Sequence, residues 1–339
     1  MLVDWPLAEL RRYHPEVAAP DDLVDFWDET AGPDVGPIAA TYARVDSGLV
    51  AVETYDVTFA GHGGDPVRAW LHLPSAPLRS GRLPAVVQYQ GYNGGRGLAH
   101  EHVFWATAGY AQLVVDTRGQ GSGWTSGATG DPVGSAPSQP GFLTRGIEDP
   151  RTYYYARVYT DAVRALDTLR AHDLVDPSRV AVAGASQGGG IALATAALAS
   201  TRVAALLCDV PFLCDFRRAA AVAQSEPYLE LVRYLAAHRD LVDTVFDTLA
   251  YFDGAVLGRS AAAPALFSVA LMDATCPPST VFAAYHAYGG PKQIDVYEFN
   301  DHEGGRPSTA ANSSTGWLRH WPGDHPESER ARSRACRAS

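Results

Sequence analysis

Residues 179–190 read RVAVAGASQGGG, and the interpretation of the whole chain turns on this stretch. The apolar run RVAVAG is typical of a buried strand, and GGGIALATAALAS at 188–200 is typical of a helix. Between them, Gly184, Ser186 and Gly188 form a G-x-S-x-G pattern, whose glycines allow a sharp turn that exposes the serine oxygen. Glycine-rich turns between a strand and a helix are also common. The five residues alone therefore leave two possibilities open: Ser186 is a nucleophile, or it belongs to an ordinary turn.

From residue 83 onwards, short apolar runs alternate with helical segments. In YYYARVYTDAVRALDTLRAH at 153–172, one helical face carries Tyr155, Val158, Ala162, Leu166 and Leu169. The alternation predicts an α/β fold, in which a mostly parallel sheet has helices on both faces. The runs that predict strands buried on both faces are LPAVVQYQ (83–90), YAQLVVD (110–116), RVAVAGA (179–185), VAALLCDV (203–210), PALFSVAL (264–271) and QIDVYEF (293–299).

Outside this alternating region, the chain predicts three further parts. Residues 1–75 predict a helix at 20–31 followed by antiparallel strands, with Val67, Ala69, Leu71 and Leu73 facing inward. Residues of about 211–262 are too long for a simple crossover and predict a helical cap inserted near the ligand-binding edge of the sheet. We expect one domain over residues 1–320 and a disordered tail over 321–339.

A serine nucleophile needs a histidine base and a carboxylate that orients this base. In this type of fold the three residues follow the order Ser, Asp or Glu, His, each at a strand end. PALFSVALMD ends at Asp273, and QIDVYEFNDH ends at His302. Taken singly, Asp273 could be a helix cap and His302 an ordinary loop histidine, but together with Ser186 they predict a triad. Asp301 is a rival acid that we rank low, because adjacent residues rarely point at one another.

The negative charge that develops on a substrate oxygen needs two backbone N–H donors. The residue after the nucleophile, Gln187, supplies one of them. The segment QGYNGGRG at 90–97 follows an earlier strand, and Tyr92 is the candidate for the second donor. The alternative for this segment is a plain glycine turn. This chemistry needs neither a metal nor a cofactor, and we predict none.

Composition limits the partners and the compartment. The net charge of -11 comes from 38 acidic and 27 basic residues, without a basic block that would bind nucleic acid. The four cysteines show no C-x-x-C spacing, which suits a reducing compartment. The start of the chain lacks the apolar stretch of a secretory signal, and no segment is long enough to span a bilayer. We therefore expect a soluble cytoplasmic protein that binds neither membranes nor nucleic acid.

Beyond these local signals, the chain resembles carbohydrate esterase family seven, the acetyl xylan esterases and cephalosporin-C deacetylases. The resemblance runs from DWPLAELRRYHPE at 4–16 to HEGG at 302–305, about nine tenths of the chain. The motifs that carry it are RGQGSGW (118–124), GASQGG (184–189) and HEGG, with QGYNGGRG (90–97), PGFLTRGIEDPRTYYYARV (140–158), CDVPFLCDFRRA (208–219) and MDATCPPSTVFAAY (272–285) between them.

The resemblance implies an α/β-hydrolase fold and the same site: Ser186 as nucleophile, His302 as base, Asp273 as orienting acid, and the amides of Tyr92 and Gln187 as oxyanion donors. It also implies removal of acetyl groups from small substrates such as acetylated xylo-oligosaccharides and cephalosporin C. Family members form a ring of six subunits with inward-facing active sites, so the resemblance further implies a homohexamer.

Other site residues are likewise implied by the resemblance. Trp105, Phe212 and Pro227 would crowd the acyl pocket, where ordinary core packing is the alternative. Thr275 stands where we expect a larger apolar residue in relatives. For Arg118 we expect an ion pair beneath the active site, with Glu303 as a candidate partner. The sequence after Gly305 departs from the family pattern, which bears on the last helix and on ring assembly.

Two other functions remain open at this stage. A lipase or a peptidase could use the same fold and triad, since the fold does not fix the substrate. A binding protein could keep the fold without its chemistry, although the presence of Ser186, Asp273 and His302 argues against this.

Overall fold

The computed structural model describes residues 3–32, 36–134 and 136–304. The predicted tail at 321–339, and the departure from the family pattern after Gly305, lie outside the described residues, so both stay predictions. The same holds for the end of the predicted domain at 320. In the described part of the chain, no helix combines the length and the hydrophobicity needed to cross a membrane.

A nine-stranded sheet organises the molecule. Its strands are β1 (Thr41–Val45), β2 (Val52–Ala60), β3 (Pro66–Pro74), β4 (Leu83–Tyr89), β5 (Ala111–Val115), β6 (Val175–Ala185), β7 (Ala205–Asp209), β8 (Ala265–Ala270) and β9 (Lys292–Tyr297). The spatial order is β1-β2-β3-β5-β4-β6-β7-β8-β9. Strands β1 to β3 pair antiparallel, and β3 also pairs antiparallel with β5. From β5 to β9 all neighbours are parallel, as the alternating pattern predicted.

Ten α-helices belong to the described residues. They are α1 (Leu7–Leu10), α2 (Leu23–Ala31), α3 (Phe104–Thr107), α4 (Tyr154–Arg170), α5 (Gln187–Leu198), α6 (Phe216–Val222), α7 (Tyr228–Ala237), α8 (Val242–Ala250), α9 (Gly254–Leu257) and α10 (Pro278–Ala287). Short 3₁₀ turns occupy His62–Gly64, Ala76–Leu78, Phe142–Thr144, Arg239–Leu241 and Gly258–Ser260. Helices α6 to α9 all lie between β7 and β8, where the helical insertion at about 211–262 was expected.

The burial of most strands follows the sequence, although β4 and β6 include half-buried residues and β9 departs more strongly. Strands β5, β7 and β8 are buried at every position, as expected for parallel strands covered on both faces. In β3, Val67, Ala69, Leu71 and Leu73 face inward as predicted. The prediction that β9 is buried on both faces was wrong, because β9 pairs on one side with β8 and its residues are half-buried or exposed.

Helix α4 is buried on almost every face, beyond the single apolar stripe that the sequence predicted. Its polar face is covered because Arg157, Asp161 and Arg164 all have partners in the protein. Arg157 pairs with Asp131, and Arg164 donates to backbone carbonyls of the segment before β1 and of the end of β2. Charged residues on a helix therefore do not mark an exposed face here.

Asp253 joins the two ends of the helical insertion. Its carboxylate accepts hydrogen bonds from the N–H groups of Asp215 (2.8 Å) and Phe216 (3.0 Å), where α6 begins, and from the N–H of Ala255 (2.8 Å) in α9. Burial, and then repulsion from the Asp215 carboxylate, raise the pKa of Asp253 to about 6.

This raised pKa predicts that Asp253 contributes more favourably to the free energy of unfolding in acid than at neutral pH. Between about pH 4, near the usual pKa of an unfolded Asp, and about pH 6, the folded carboxyl holds more proton than the unfolded one. Its contribution to the free energy of unfolding therefore falls as pH rises through this window. We expect the stability of the native protein minus that of Asp253→Asn, measured by urea unfolding, to decline from pH 4 to 6 and then level off. The exposed Asp243→Asn is the control, and a difference that stays constant with pH would contradict the prediction.

Candidate active site

The chain turns sharply at Ser186. Strand β6 ends at Ala185 and α5 begins at Gln187, and Ser186 between them has φ 58° and ψ -123°, a strained conformation for a residue with a side chain. The neighbouring glycines are required because no side chain fits at their positions. A Cβ on Gly188 would lie 2.3 Å from the backbone oxygen of Tyr89, and one on Gly184 would lie 2.2 Å from the backbone oxygen of Gly188. The glycines therefore let α5 approach β4 and β6 closely, which places Ser186 at the carboxyl edge of the sheet.

The structure brings Ser186, His302 and Asp273 together. His302 Nε2 lies 3.0 Å from Ser186 Oγ, and His302 Nδ1 lies 2.9 Å from Asp273 Oδ2. The other carboxylate oxygen of Asp273 accepts hydrogen bonds from the N–H groups of Thr275 and Cys276, each at 2.8 Å. The Asp273 side chain is fully buried, whereas that of His302 is 29% exposed. The fixed carboxylate favours the tautomer with a proton on Nδ1, which leaves Nε2 free to accept the serine proton.

Asp301 is not placed to be the acid of this site. Its carboxylate accepts the backbone N–H of His302 at 2.8 Å, so it is occupied by the main chain next to the ring. The low rank that the sequence gave it follows from this local geometry.

Gln187 and Tyr92, the two predicted oxyanion donors, follow the ends of two neighbouring strands, β6 and β4. Gln187 is the first residue of α5, and Tyr92 comes three residues after the end of β4. These two strand ends are neighbours, because Tyr89 pairs with Gly184 in the parallel ladder. Neither the Tyr92 nor the Gln187 backbone N–H donates to another described group, as expected of donors that serve a bound anion. Tyr92 lines the cavity over the serine, whereas Gln187 is fully buried beside Ser186.

A cavity of about 610 Å³ opens over the serine. Of the residues predicted for the site, those that line this cavity are Ser186, His302, Tyr92, Trp105, Pro227 and Thr275. Further lining residues that the sequence reasoning gave no role include Gln88, His102, Phe104, Trp124, Asp209 and Glu226. The cavity is thus bounded by strand ends on one side and by the start of α7 on the other.

The prediction that Phe212 crowds the acyl pocket was wrong, because Phe212 does not line the cavity. It is fully buried in the core, with its ring 6.0 Å from that of Tyr92 and 4.4 Å from that of Tyr228. The chain turns sharply after β7, with positive φ at Val210 and Leu213, and this turn directs Phe212 inward. Core packing, the alternative given above, is the correct description.

Trp124 is an aromatic lining residue that the sequence did not single out. Its side chain lies on the glycine-rich segment after β4, since a Cβ on Gly94 would lie 2.3 Å from the indole ring. The indole N–H donates to the backbone oxygen of Tyr92 at 3.0 Å, and the residue is 58% exposed. Phe104 is also exposed at 43%. Gly94, directly after Asn93, was a signal in the sequence that another group packs closely there.

The side chain of Tyr92 is fixed by the helical insertion. Its hydroxyl donates to both oxygens of Glu230, at 2.7 and 2.8 Å, and accepts from the N–H of Phe142 at 2.9 Å. Glu230 also accepts from the N–H groups of Gly141 and Leu143. Burial raises the pKa of Glu230 above its usual value. The segment around Phe142, helix α7 and Tyr92 are therefore locked together at one wall of the cavity.

The expected ion pair between Arg118 and Glu303 was wrong in its partner. Arg118 is fully buried and donates to both oxygens of Asp161, at 2.6 and 2.7 Å, and to Asp65 at 3.1 Å. Asp131 Oδ1 lies 3.6 Å from Nη1 of Arg118. Burial opposes the charge of Arg118, but the hydrogen bonds and attraction to Asp161, Asp65 and Asp131 together outweigh it and hold the pKa of the guanidinium above its usual value. The side chain points beneath the sheet toward α4, whereas Glu303 accepts hydrogen bonds from Asn300 and from the Asp301 N–H.

Asp273, Cys276 and His302 offer ligand atoms within 4.8 Å of one another, as a metal site would require. However, both ring nitrogens of His302 already lie within hydrogen-bond distance of Asp273 and Ser186. Burial also raises the pKa of the Cys276 thiol well above its usual value, and a metal would have to displace this proton, because a metal ligand must be a thiolate. The donor set suits proton transfer better than metal binding.

Comparison with known proteins agrees with this geometry. The family model described as Acetyl xylan esterase (AXE1) matches residues 1–320. The chain belongs to the acetyl xylan esterase family. It also shares the α/β-hydrolase fold with more distant solved structures.

Two solved structures of acetyl xylan esterases resemble the chain over most of its length. The enzyme from Paenibacillus sp. R4 is 38% identical, with a TM-score of 0.84, and the match covers 94% of this chain and 100% of that one. The enzyme from Thermoanaerobacterium sp. JW/SL YS485 is 30% identical, with a TM-score of 0.80, covering 88% and 94%. Acetyl esterase Axe7A of Xylanibacter ruminicola is 25% identical over 300 residues, which are 85% of this chain and 64% of that esterase. The chain thus spans less than two thirds of the length of this curated relative.

The close approach of α5 to β4 predicts a large loss of stability for Gly188→Ala. The added Cβ would lie 2.3 Å from the Tyr89 oxygen, and neither backbone can move without disturbing the sheet. We expect the free energy of unfolding in urea to fall by about 3 kcal/mol or more. Gly258→Ala is the matched control, because its Cβ would have only ordinary contacts from 3.5 Å outward. Equal stability of the two variants would show that the turn tolerates a side chain.

Proposed function

We propose that this protein is a serine esterase that removes acetyl groups from small O-acetylated substrates. The observation that carries the proposal is the hydrogen-bonded series Ser186, His302 and Asp273, which opens into a cavity in a chain of the acetyl xylan esterase family.

The proposed reaction has two halves. In the first, Ser186 Oγ attacks the acetyl carbonyl carbon while His302 Nε2 takes the serine proton. The bond to the alcohol of the substrate then breaks, and the imidazolium returns the proton to that alcohol oxygen. In the second half, water attacks the acetyl-serine, again losing a proton to His302, and acetate leaves as Ser186 regains its proton.

Charge stabilisation is assigned to three groups. The backbone N–H groups of Tyr92 and Gln187 bind the oxyanion of each tetrahedral intermediate, and one such donor contributes about 10²–10³ in rate. The Asp273 carboxylate is assigned to stabilising the imidazolium. Its two hydrogen bonds from the Thr275 and Cys276 N–H groups hold the carboxylate in place against the ring of His302.

The proposed substrates are acetylated xylo-oligosaccharides and cephalosporin C. Membership of the acetyl xylan esterase family supports acetyl as the acyl group that is removed. The cavity of about 610 Å³ has room for a small alcohol portion of the substrate beside this acetyl group. Trp105, Pro227 and Thr275 line the cavity and are proposed to limit the acyl chain. Thr275 adds a hydroxyl to this wall, 3.2 Å from the Ser225 hydroxyl.

The homohexamer and the cytoplasmic location are also proposals. The hexamer rests on the resemblance to carbohydrate esterase family seven, and sedimentation analysis of the purified protein tests it. The reducing compartment is supported by three free, buried cysteines, Cys208, Cys214 and Cys276.

The rival functions differ in measurable ways. A lipase would prefer octanoyl over acetyl esters, and a peptidase would cleave aminoacyl amides. A binding protein without chemistry would not react with a fluorophosphonate probe. A panel of acetylated xylo-oligosaccharides, cephalosporin C, butyryl and octanoyl esters and aminoacyl amides separates these possibilities.

Replacing the nucleophile tests the proposal directly. Ser186→Ala should remove hydrolysis of the acetyl esters in this panel and of 4-nitrophenyl acetate, because no other described hydroxyl lies against His302 Nε2. Release of acetate or nitrophenolate is the measurement, with a folded state confirmed by circular dichroism. Substantial activity in Ser186→Ala, or a native protein that prefers octanoyl esters or amides, would overturn the proposal.

Asp273→Asn tests the role of the acid separately from the nucleophile. The Asn side chain keeps the size but loses the charge, and an amide N–H facing Nδ1 favours the wrong tautomer of His302. We expect kcat to fall by about 10⁴, with little change in KM. Asp301→Asn is the matched control, since Asp301 binds the main chain instead of the ring. A comparable loss of kcat in both variants would show that the loss comes from disturbance of the loops at this site and not from removal of the Asp273 carboxylate.

A further inference from the structure

Gln120, on the loop after β5, is fully buried and does not line the cavity. Its side-chain oxygen accepts the backbone N–H of Asn93 at 2.7 Å. Its side-chain nitrogen donates to Oε1 of Gln187 at 2.8 Å and to the hydroxyl of Tyr154 at 3.1 Å. Both hydrogen-bonding groups of this amide are thus used inside the protein.

The side-chain amide of Gln187 pairs with the side-chain amide of Gln120. Its nitrogen donates to Oε1 of Gln120 at 3.1 Å, so the two amides form a reciprocal pair. The same nitrogen donates to the backbone oxygen of Gln90 at 3.2 Å, and its oxygen accepts from the hydroxyl of Tyr155 at 2.8 Å. Gln187 is also fully buried, so water does not substitute for these bonds.

The pair connects the two proposed oxyanion donors. On one side it holds Gln187, whose own backbone N–H is one donor. On the other side it binds Gln90 and Asn93, the main chain just before and just after Tyr92, whose N–H is the second donor. The loop after β4 and the start of α5 therefore have a fixed relative position set by two side-chain amides.

We propose that Gln120 is a positioning residue that sets the spacing of the oxyanion hole, although it never touches substrate. This inference rests on the proposed esterase function. An oxyanion needs both donors at hydrogen-bond distance at the same time, and a displacement of about 1 Å costs up to about 10² in rate.

The site requires an amide at position 120. A Glu at this position would place a second acceptor against Oε1 of Gln187, and an Asn would be one methylene too short to reach both loops. A Met would fill a similar volume but could neither accept from Asn93 nor donate to Gln187. Rotation of the Gln187 amide would not compensate, because it would give up the bond to the Gln90 oxygen.

Gln120→Met is the test variant. Hydrolysis of 4-nitrophenyl acetate should show kcat lowered about 10- to 100-fold, whereas KM should change less than about threefold, because the lost positioning acts only on the transition state. A phenylboronic acid forms a tetrahedral anionic adduct with the Ser186 oxygen and places a hydroxyl where the oxyanion would lie. Its affinity should weaken by the same factor as kcat.

Tyr288→Phe is the control for lost stability. It removes a buried hydrogen bond to the Ala263 oxygen, 2.6 Å long, far from the loops in question. It should lower the melting temperature without changing kcat or boronate affinity. If Gln120→Met does not fold, Tyr155→Phe takes its place, since it removes one bond to the Gln187 oxygen, and kcat and boronate affinity should fall together by roughly fivefold.

The outcomes separate this inference from the proposed function. If the native protein does not hydrolyse 4-nitrophenyl acetate in a manner that depends on Ser186, the proposed function fails. If the native protein is active but the folded Gln120→Met or Tyr155→Phe variant keeps native kcat and boronate affinity, the function stands and the positioning role is wrong. A loss confined to KM would also overturn the positioning role.

Discussion

The structure depends on one backbone contact, the approach of the first turn of α5 to the end of β4. Gly188 permits this approach, since a Cβ there would overlap the backbone oxygen of Tyr89, and Gly184 permits the tight turn from β6 into α5, since a Cβ there would overlap the main chain of Gly188. This contact places Ser186 at the centre of the sheet edge and sets Gln187 beside the loop that carries Tyr92. The Asp273 and His302 loops can meet the serine only because β8 and β9 continue the same parallel ladder from β6 and β7.

A cluster of mostly buried charges connects the loop after β5 with α4. Arg118 binds Asp161 and Asp65, and Arg157 binds Asp131. Burying such ions carries a desolvation cost that each pair offsets only through good geometry, so their value lies more in fixing one arrangement than in adding stability. The arrangement that they fix is the position of the loop after β5 against α4. Because Gln120 belongs to this loop, the charge cluster and the amide pair support the same part of the active site.

Much of the fold and the triad could be predicted from the sequence, because these features depend on local patterns. Apolar runs gave the strands, and the order of Ser186, Asp273 and His302 at strand ends gave the site. The partners of Arg118 could not be found in this way, since Asp161 lies on a helix for which the sequence pattern indicated only one apolar face and no partners for the charged residues. Phe212 was misassigned because its direction is set by two residues with positive φ, which no hydrophobic pattern reveals. The contact of Glu230 with Tyr92 joins residues far apart in the chain, and only the packing of the helical insertion brings them together.

The site divides into two parts with different origins. The groups assigned to bond making and breaking come from strand ends, whereas Glu226 and Pro227 reach the cavity from the helical insertion. Substrate range can therefore change through the insertion while the triad stays in place. Tyr92 is where the two parts meet, because its flanking main chain is held by the buried amide pair and its hydroxyl by Glu230 of α7. If the proposed role of Tyr92 holds, a change in the insertion that moves Glu230 would act on the proposed oxyanion donor as well as on substrate fit, and would couple selectivity to rate.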